Sequence, residues 1–484
     1  MQKLITLIML VCCCAFALEP QELVVVYNAD SKLSRETAQR YCNLRAIPRN
    51  NCLPLYGVGR GDITRADYDA KIKFPLMALG QSRGLIWPAG QQGAGQRVRA
   101  MVLMPDLPLR IKEEPVNGKL PGNGIPLNAA ALDSELMLLG AEYPLAKHGS
   151  NPYFGKPALP TARERQVVLS VCRIDGPDKE CITRMIELPP RIEKTGLWGW
   201  TVVDTGGPYK DGDAMMERVA DICKQIGFPL FYESSKSTIA NDFPLMAQTA
   251  LYFGWYTNPA NGPFRAASQG GFRFAEGALA FHLHSYSATS IYDGNSWVSA
   301  LLKRGACVTA GNVAEPYLGA CINYGLLFAH LVDGKQLGDA ALLASPTVSW
   351  QCIVLGDPLY RPFPRSGIRP VASDSFVQWL QAVKRAAGDA SALRNFTDAQ
   401  LSKGQGALFA EIFAWYAANS GEVELAAQYF RLAADKYSAT RDKLRASLTL
   451  VATLKACGKT DEAAKLLKTL QSKYAKSPYA AAIK

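Results

Sequence analysis

Short apolar runs alternate with longer helical patterns from residue 20 to about 365, and this alternation restricts the fold more than any other feature. Each run is continuously apolar, as in ELVVVYNAD from Glu22 to Asp30. Strands of that kind are buried on both faces, which is typical of a parallel sheet between helices. We therefore predict an α/β fold with a mainly parallel, doubly wound sheet. The predicted strands are ELVVVYNAD, CLPLYGV, RVRAMVLMPDLPLRI, RQVVLSVCRID, GWTVVDTGG, FPLFYES, ALYFGWY, GALAFHLHS, GACVTAGNV and WQCIVLGD.

The length of 484 residues exceeds one ordinary compact core, so two or three domains are expected. After RPFPRSG, Arg361 to Gly367, the composition shifts to Ala, Leu, Lys and Glu, and no further strand pattern follows. We predict an α/β region over 18–367 and a helical domain over 368–484. A division of the first region into 18–160 and 161–367 is an open alternative.

The helical region contains an internal repeat. SGEVELAAQYFRLAADKY begins at Ser420, and CGKTDEAAKLLKTLQSKY begins 37 residues later at Cys457. This self-similarity resembles tetratricopeptide-type helical hairpins, whose usual period is about 34 residues. Such hairpins commonly bind peptides or neighbouring domains, so a peptide or protein partner is expected there. The alternative is a capping subdomain that only packs on the sheet.

The first residues, MQKLITLIMLVCCCAFALEP, join Lys3 to an apolar core and a small residue pattern that ends at Ala17. This composition predicts a secretory signal peptide over 1–17 and an extracytoplasmic protein, periplasmic or secreted. No later segment approaches 18 uninterrupted apolar residues, so no membrane span is expected. A lipid anchor at Cys12, Cys13 or Cys14 stays open.

The formal charge of +11 is spread along the chain, with no run of five or more Lys or Arg. A solvated basic surface explains this pattern, and we predict no nucleic-acid partner. Nothing in the sequence predicts a cofactor.

Export also changes the interpretation of the cysteines, because thiols outside the cytoplasm tend to be oxidised. Without the three signal cysteines, nine of the twelve remain, so at least one stays free. Cys42 with Cys52, and Cys172 with Cys181, are close enough in sequence to bridge local loops, although geometry decides whether they do.

Polar or glycine-bearing turns follow several of the predicted strands. In open α/β sheets, ligands bind outside the carboxyl ends of the strands. We therefore expect a crevice where these turns gather. The turns are Asp30, DTGGPYKDGD after Val203, HSYS after Leu283, GNVAEP after Ala310 and GDP after Leu355.

GALAFHLHS holds two of the four histidines of the chain. Strand alternation places Ala280, His282 and His284 on one side, so the two imidazoles share a face. They form a workable metal half-site, with a third ligand from Asp204, Glu315 or Asp357. The alternative is that His282 is a hydrogen-bonded core histidine.

His284 lies closest to the strand end and is the candidate catalytic base. Cys307, in the next predicted strand, is the candidate nucleophile, because a cysteine nucleophile needs a base within reach. Its position early in that strand favours burial instead. The candidate ligand-binding residues around them are Asp204, Ser285, Tyr286, Ser287, Asn312, Glu315 and Tyr317.

The order ALAFHLHSYSA, GACVTAGNVAEPYLG, DGKQLGDAALLAS and CIVLGDPLYRPF, Gly277 to Phe363, resembles the carboxyl half of gingipain-type cysteine peptidases. The resemblance implies a caspase-like α/β fold with His284 in the place of the catalytic histidine. Those peptidases carry their nucleophile at the end of a separate strand between the histidine strand and the glycine-led strand. Here SYSATSIYDGNSWVSALLKR fills that interval and contains no cysteine.

Over its full length the chain resembles an uncharacterised group of exported bacterial proteins with no assigned reaction. The shared motifs are ELVVVYNADS, MPDLPLRI, DSELMLLG, HLHSYSA, GNVAEPYL and SWQCIVLGDPLYRPF.

Three hypotheses follow from the sequence. The leading one is a catalytically silent or divergent caspase-like protein that binds a peptide or glycan in the crevice. The second is a cysteine-peptidase-like hydrolase with His284 as base. The third is a metal-dependent hydrolase built on His282 and His284.

Overall fold

A computed structural model gives the fold of the chain. It describes residues 17–87, 98–115, 128–140, 149–159, 168–226 except 198, 230–236, 239, 249–265, 273–363, 382, 385–386, and 389–476 except 405 and 439. Residues 1–16 of the predicted signal peptide, including the three cysteines considered for lipidation, lie outside these residues, and so do the predicted domain boundaries at 160/161 and 367/368. Within them, no helix is both long and apolar enough to cross a membrane.

Each predicted strand forms at the expected place, and short additional strands pair at the edges. The strands are β1 Leu23–Asn28, β2 Cys52–Leu55, β3 Asp62–Ile63, β4 Ala100–Leu103, β5 Arg110–Ile111, β6 Ala130–Ala131, β7 Gly149–Ser150, β8 Ser170–Arg173, β9 Trp200–Asp204, β10 Leu230–Glu233, β11 Thr249–Gly254, β12 Leu279–His282, β13 Thr309–Asn312, β14 Thr347–Val348 and β15 Cys352–Leu355.

Helices fill the intervals between the strands and then continue alone to the end of the described chain. They are α1 Lys32–Arg45, α2 Arg65–Tyr68, α3 Phe74–Ser82, α4 Leu132–Leu136, α5 Lys179–Thr195, α6 Lys210–Ile226, α7 Trp297–Lys303, α8 Tyr324–Val332, α9 Leu337–Ala344, α10 Ala390–Ser402, α11 Ala407–Asn419, α12 Val423–Lys436, α13 Thr440–Ala456 and α14 Thr460–Tyr474.

Two sheets meet edge to edge. One has the order β13-β15-β8-β4-β1-β2, and the other has the order β10-β9-β11-β12 with all neighbours parallel. Leu279 of β12 pairs in parallel with Val308, just ahead of β13, and this bridge joins the two sheets. The mainly parallel α/β sheet predicted from the sequence is confirmed. The alternative boundary at 160/161 does not separate the sheets, because β8 pairs with β4.

The last strand, β15, runs antiparallel to β13. Its carboxyl end therefore lies at the amino end of β13 and, because Leu279 pairs in parallel with Val308, at the amino end of β12. Gly338 packs between Ser170, the first residue of β8, and Pro358, and Tyr360 donates to the carbonyl of Gly277, just ahead of β12.

This direction corrects the expectation that GDP joins the crevice. Asp357 lies at the opposite edge from the turns after β9, β12 and β13. There it accepts hydrogen bonds from Tyr41 Oη and Arg45 Nε, both at 2.6 Å. Asp357 is fully buried, and Arg45 also pairs with Glu193. The carboxylate therefore anchors α1 to the end of β15.

Apolar cores lie on both faces of the sheet. Along β1, Leu23 and Val25 belong to one hydrophobic cluster, whereas Val24 and Val26 belong to another. Successive side chains of a strand point to opposite faces, so both faces are covered. This burial explains why the strands are continuously apolar in sequence.

Each copy of the repeat in the carboxyl-terminal region forms the turn and the second helix of a helical hairpin, α11 with α12 in the first and α13 with α14 in the second. Gly421 and Gly458, the equivalent glycines of the repeat, have φ angles of 83° and 74°. These values suit glycine, which has no Cβ, at the turn after a helix.

The hairpins pack on one face of the four-stranded sheet. Trp415 of α11 meets Trp200 of β9 edge to face, with ring centroids 5.7 Å apart. Phe409 and Phe430 belong to the same hydrophobic cluster as Trp200. The helices therefore cover this face of the sheet, as the capping alternative expects.

The structure treats the two predicted cysteine pairs differently. The Cys42 and Cys52 sulfurs lie 2.9 Å apart, in contact as thiols. Cys172 and Cys181 belong to different hydrophobic clusters, and Cys181 Sγ donates to the Leu302 carbonyl at 3.4 Å. Only the first pair is therefore placed for a bridge.

The contact between Trp415 and Trp200 should determine how firmly the helices are attached. Replacement of a buried tryptophan by alanine removes about 3–5 kcal/mol, so we expect Trp415→Ala to lower the free energy of unfolding by that amount. Urea unfolding followed by circular dichroism at 222 nm measures the change. Leu432→Ala, at a half-exposed site on α12, is the control and should change it by less than about 0.5 kcal/mol. Equal effects of the two variants would contradict the conclusion that Trp415 attaches the helices to the sheet.

Candidate functional site

A crevice lies at the carboxyl ends of β9, β11 and β12 and consists of two adjoining pockets. The Asp204 pocket, of about 410 Å³, includes Asp204, Tyr252, Thr257, Asn261, Phe264 and His282 in its lining. The His284 pocket, of about 340 Å³, includes Tyr209, Asp211, His284, Ser285, Glu315, Tyr317 and Cys321. Trp255 and Tyr256 line both pockets.

Trp255 is held by the glycine-bearing turn after β9. A Cβ on Gly207 or on Gly212 would lie 2.1 Å from the indole ring, so glycine is required at both positions. The indole Nε1 donates to Asp213 Oδ1 at 2.7 Å, and the same oxygen accepts the backbone N–H of Gly206 at 2.9 Å. The turn DTGGPYKDGD therefore holds Trp255, which lines both pockets, in place.

His282 is a buried histidine whose two ring nitrogens both have partners. Nε2 accepts the backbone N–H of Thr257 at 3.2 Å, so the proton of the neutral ring is on Nδ1. Nδ1 lies 3.1 Å from Tyr252 Oη, and the ring stacks on Trp297 with centroids 3.4 Å apart. Burial holds the pKa of His282 well below its usual range. This is the hydrogen-bonded core histidine of the alternative interpretation.

His284 lies beyond the end of β12, in the other pocket. Its Nδ1 accepts the backbone N–H of Tyr286 at 3.1 Å, so the proton of the neutral ring is on Nε2. No described residue forms a hydrogen bond with Nε2. The ring packs on Tyr256 with centroids 4.6 Å apart. Burial lowers the pKa of His284, against the opposing charge of Glu315. At neutral pH, His284 therefore presents an N–H donor.

Ser287 and Asn312, two of the predicted ligand-binding residues, are buried and used within the fold. Ser287 Oγ accepts the backbone N–H of Asn312 at 3.1 Å. The Asn312 amide donates to the carbonyl of His284 at 3.0 Å. Both side chains are almost inaccessible, so they fix the turn that carries His284 and do not contact a ligand directly.

Four other predicted residues lie at the crevice. Ser285, Glu315 and Tyr317 line the His284 pocket. Glu315 Oε1 accepts the backbone N–H of Tyr317 at 3.0 Å, which orients the loop after β13. Tyr286 is 39% exposed beside them.

Cys307 does not face His284. Its backbone N–H donates to the carbonyl of Ala278, at the amino end of β12, whereas His284 follows the carboxyl end. Six residues of strand at about 3.3 Å each place them about 20 Å apart. Cys307 Sγ donates to the carbonyl of Arg184 at 3.2 Å, and burial raises the pKa of the thiol to about 12. The predicted dyad of His284 and Cys307 is therefore wrong.

The thiol that does share a pocket with His284 is Cys321, which the sequence did not single out. Its sulfur lies 3.5 Å from both the Tyr317 carbonyl and the Asn312 amide nitrogen. Burial raises the pKa of Cys321 well above its usual value, so the group is a protonated thiol. The sequence did contain an indication of this position, because Cys321 ends the stretch GNVAEPYLGAC, whose first part was already predicted to line the crevice.

The sequence also missed the aromatic residues of the crevice, Tyr209, Trp255 and Tyr256. Trp255 and Tyr256 directly follow β11, between the two strands whose turns were predicted to form the site. The pattern YFGWY at the end of a buried strand was the signal, because bulky side chains beyond a strand end must lie at the edge of the sheet.

The predicted metal half-site is not assembled. His282 has both nitrogens occupied and lies in a different pocket from His284, and Asp357 lies at the other edge of the sheet. Across the described part of the chain, no group of three or more His, Cys, Asp or Glu side chains is placed to hold a metal ion.

No protein-family model matches the chain, and no curated protein or solved structure matches it either. A role for the crevice must therefore be inferred from its own geometry.

The two histidines of HLH should be opposite tautomers. We expect His282 to carry its proton on Nδ1 and His284 to carry it on Nε2, because different ring nitrogens accept the backbone N–H groups. Two-bond ¹⁵N–¹H correlation spectra near pH 7.5 distinguish the two forms. Assignment comes from spectra of His282→Gln and His284→Gln variants. An Nδ1-protonated His284 would contradict this arrangement.

Proposed function

We propose that this is an exported, caspase-like protein that binds a peptide or glycan in the crevice without turning it over. The observation that carries the proposal is the hydrogen bond from the Tyr286 N–H to Nδ1 of His284. A general base needs an unprotonated nitrogen directed at the reacting group. With Nδ1 occupied, the nitrogen of neutral His284 that remains available is protonated and suits binding.

The chemical character of the His284 pocket supports the same proposal. Tyr209 is 56% exposed and Tyr317 is 53% exposed, which is unusual for large rings unless a surface meets a partner. Aromatic rings with polar tips favour contacts with ligands that have both apolar and polar faces. The Nε2–H of His284 and the Glu315 carboxyl add one donor and one acceptor.

The helical hairpins extend the proposal to a second surface. Their repeated sequence is the basis for a tetratricopeptide-like assignment, and a peptide or protein partner would be held on the side away from the sheet. Trp415 and its neighbours are already buried against β9, so they are not available to a partner.

One observation favours a second function, a cysteine-type hydrolase that uses Cys321 in place of Cys307. Cys321 and His284 line the same pocket. For catalysis the thiol must lose its proton, whereas its burial raises the pKa of Cys321. Rotation of the His284 ring away from the Tyr286 N–H would also be required.

Binding and turnover can be tested on the same protein. The exported chain is applied to a peptide library and to a glycan array, and it is incubated with a fluorogenic peptide library. We expect retention on one surface and no cleavage. His284→Ala should weaken retention about tenfold, since one hydrogen bond is lost, whereas His284→Gln should preserve it because an amide can replace the Nε2–H donor.

Cleavage that is abolished by iodoacetamide and by Cys321→Ala, but not by Cys307→Ala, would establish the hydrolase instead. The Cys307 variant is the matched control because its thiol is buried away from His284.

A further inference from the structure

Cys42 and Cys52 meet at the edge of the six-stranded sheet. Cys42 lies in the last turn of α1, and Cys52 begins β2, which is the edge strand beside β1. Their sulfurs are 2.9 Å apart, and both cysteines are free. A disulfide bond measures about 2 Å, so closure would bring the two sulfurs together by about 1 Å. The pair is therefore placed to form a bond without a rearrangement of α1 or β2.

The connection between the two cysteines is held by contacts that do not involve the thiols. The backbone N–H of Ile47 donates to the carbonyl of Cys42 at 2.9 Å. The side-chain amide of Asn51 donates to the carbonyls of Gln21 and Leu23, both at 2.9 Å. Because these bonds fix both ends of the connection, the two sulfurs meet before any covalent bond forms between them.

The two thiols differ in their access to solvent. Cys42 is 7% exposed and belongs to the hydrophobic cluster under α1. Cys52 is partly exposed and packs against the same cluster from outside. A reagent that arrives from solvent therefore reaches the Cys52 sulfur first, and Cys42 lies directly behind it.

The charges around the pair make Cys52 the more acidic thiol. Arg83 Nη1 donates to the carbonyls of Cys52 at 2.8 Å and Asn50 at 3.0 Å, which brings a positive charge to the start of β2. The hydrogen bond from the Cys42 thiol lowers the pKa of Cys52, against the opposing effect of burial. The charges of Arg83 and Arg49 lower it further. The same hydrogen bond, together with burial, raises the pKa of Cys42.

Other cysteines of the chain have the features of inert core thiols. Cys172 and Cys223 are fully buried in a hydrophobic cluster, and burial raises the pKa of Cys172 well above its usual value. Reactive cysteines are instead accessible, lie beside positive charges and often have a second thiol in reach. Cys52 has all three features.

We propose that Cys42 and Cys52 are a redox-active pair that exchanges with low-molecular-weight disulfides, with Cys52 as the attacking sulfur and Cys42 as the resolving sulfur. The pair is a modification site separate from the crevice, and it does not depend on the proposed binding function.

The exchange proceeds in two displacements on a disulfide RSSR. The Cys52 thiolate attacks one sulfur, the S–S bond of RSSR breaks, and a mixed disulfide forms with release of RS⁻. Cys42 then loses its proton and attacks the Cys52 sulfur, which displaces the second RS⁻. The pair is oxidised by two electrons, RSSR is reduced to two RSH, and the two protons of the thiols end on the RSH products.

The test uses the full chain with reduced cysteines, oxidised glutathione as the disulfide, and mass spectrometry of the intact protein and its peptides. We expect the wild-type chain to lose the mass of two hydrogen atoms, with the new bond between Cys42 and Cys52. Cys42→Ser should instead accumulate glutathione on Cys52, because the resolving sulfur is missing while the serine hydroxyl can still donate to Cys52. Cys52→Ser should leave Cys42 unmodified, because Cys42 is buried.

Two measurements on the wild-type chain need no variant. Brief treatment with iodoacetamide at pH 7 should label Cys52 about tenfold faster than Cys457, a partly exposed thiol on the helical region whose pKa is raised. Excess reduced glutathione should return the oxidised pair to two thiols while the chain stays folded, because the Cys52 sulfur is accessible to attack.

Circular dichroism shows whether the serine variants are folded. A wild-type chain that forms no bond between the two cysteines would overturn the pair. Glutathione on Cys42 in Cys52→Ser, or labelling of Cys52 no faster than Cys457, would overturn the roles of the two sulfurs. A bond that forms but resists reduction until the chain unfolds would be a structural disulfide and would overturn the exchange.

Discussion

The common direction of β9, β11, β12 and the chain leading into β13 decides where every candidate residue lies. Because these neighbours are parallel, the turns after them meet at one edge of the sheet. Asp204, Trp255 and His284 come from three of those turns. The one strand that runs against β13, β15, carries Asp357 to the opposite edge. The direction of the strands therefore brings the crevice residues together, and it places Asp357, which was expected among them, at the other edge of the sheet.

His282 and His284 were predicted to lie on the same face of one strand, but the two rings differ in their hydrogen bonds and therefore in their chemistry. Backbone N–H groups fix both rings, but through different nitrogens. His282 faces inward, stacks on Trp297 and donates a hydrogen bond from its Nδ1–H to Tyr252 Oη. His284 faces the second pocket with its proton outward. The hydrogen bond from the Tyr286 N–H to Nδ1 thus leaves the other ring nitrogen of His284 protonated, so the ring is a hydrogen-bond donor in its pocket. Among the described residues, the thiol that shares this pocket, Cys321, is kept protonated by burial, which is consistent with the proposed binding role.

The sheet could be predicted because a continuously apolar strand must be buried on both faces, which requires a covering layer on each side of the sheet. Every strand predicted from the sequence formed, and the two repeated stretches form the helices α12 and α14. Their tetratricopeptide-like character stays a prediction. The candidate site was less predictable. Alternation placed His282 and His284 on one face, but β12 ends at His282, so the rule does not extend to His284.

Contacts between distant segments explain the other differences. No local pattern shows that Ser287 and Asn312 bond to each other, that Cys307 lies at the far end of its strand relative to His284, or that Cys321 reaches the pocket. The glycines of DTGGPYKDGD predicted a turn, but only the structure shows that Gly207 and Gly212 make room for the Trp255 ring. Local periodicity predicts elements, while side-chain partners depend on which elements become neighbours.

The claim that the crevice binds a ligand without catalysis is tested most directly by the alkylation rate of Cys321 in the native chain, measured from about pH 6 to 9. Mass spectrometry resolves the rate at each cysteine. Cys457, a partly exposed thiol on the helical region, is the internal reference. We predict that Cys321 reacts more slowly than Cys457 at every pH, because its buried sulfur stays protonated. A Cys321 that reacts faster than Cys457 near pH 6 would reveal an activated thiolate beside His284 and contradict a binding role without catalysis.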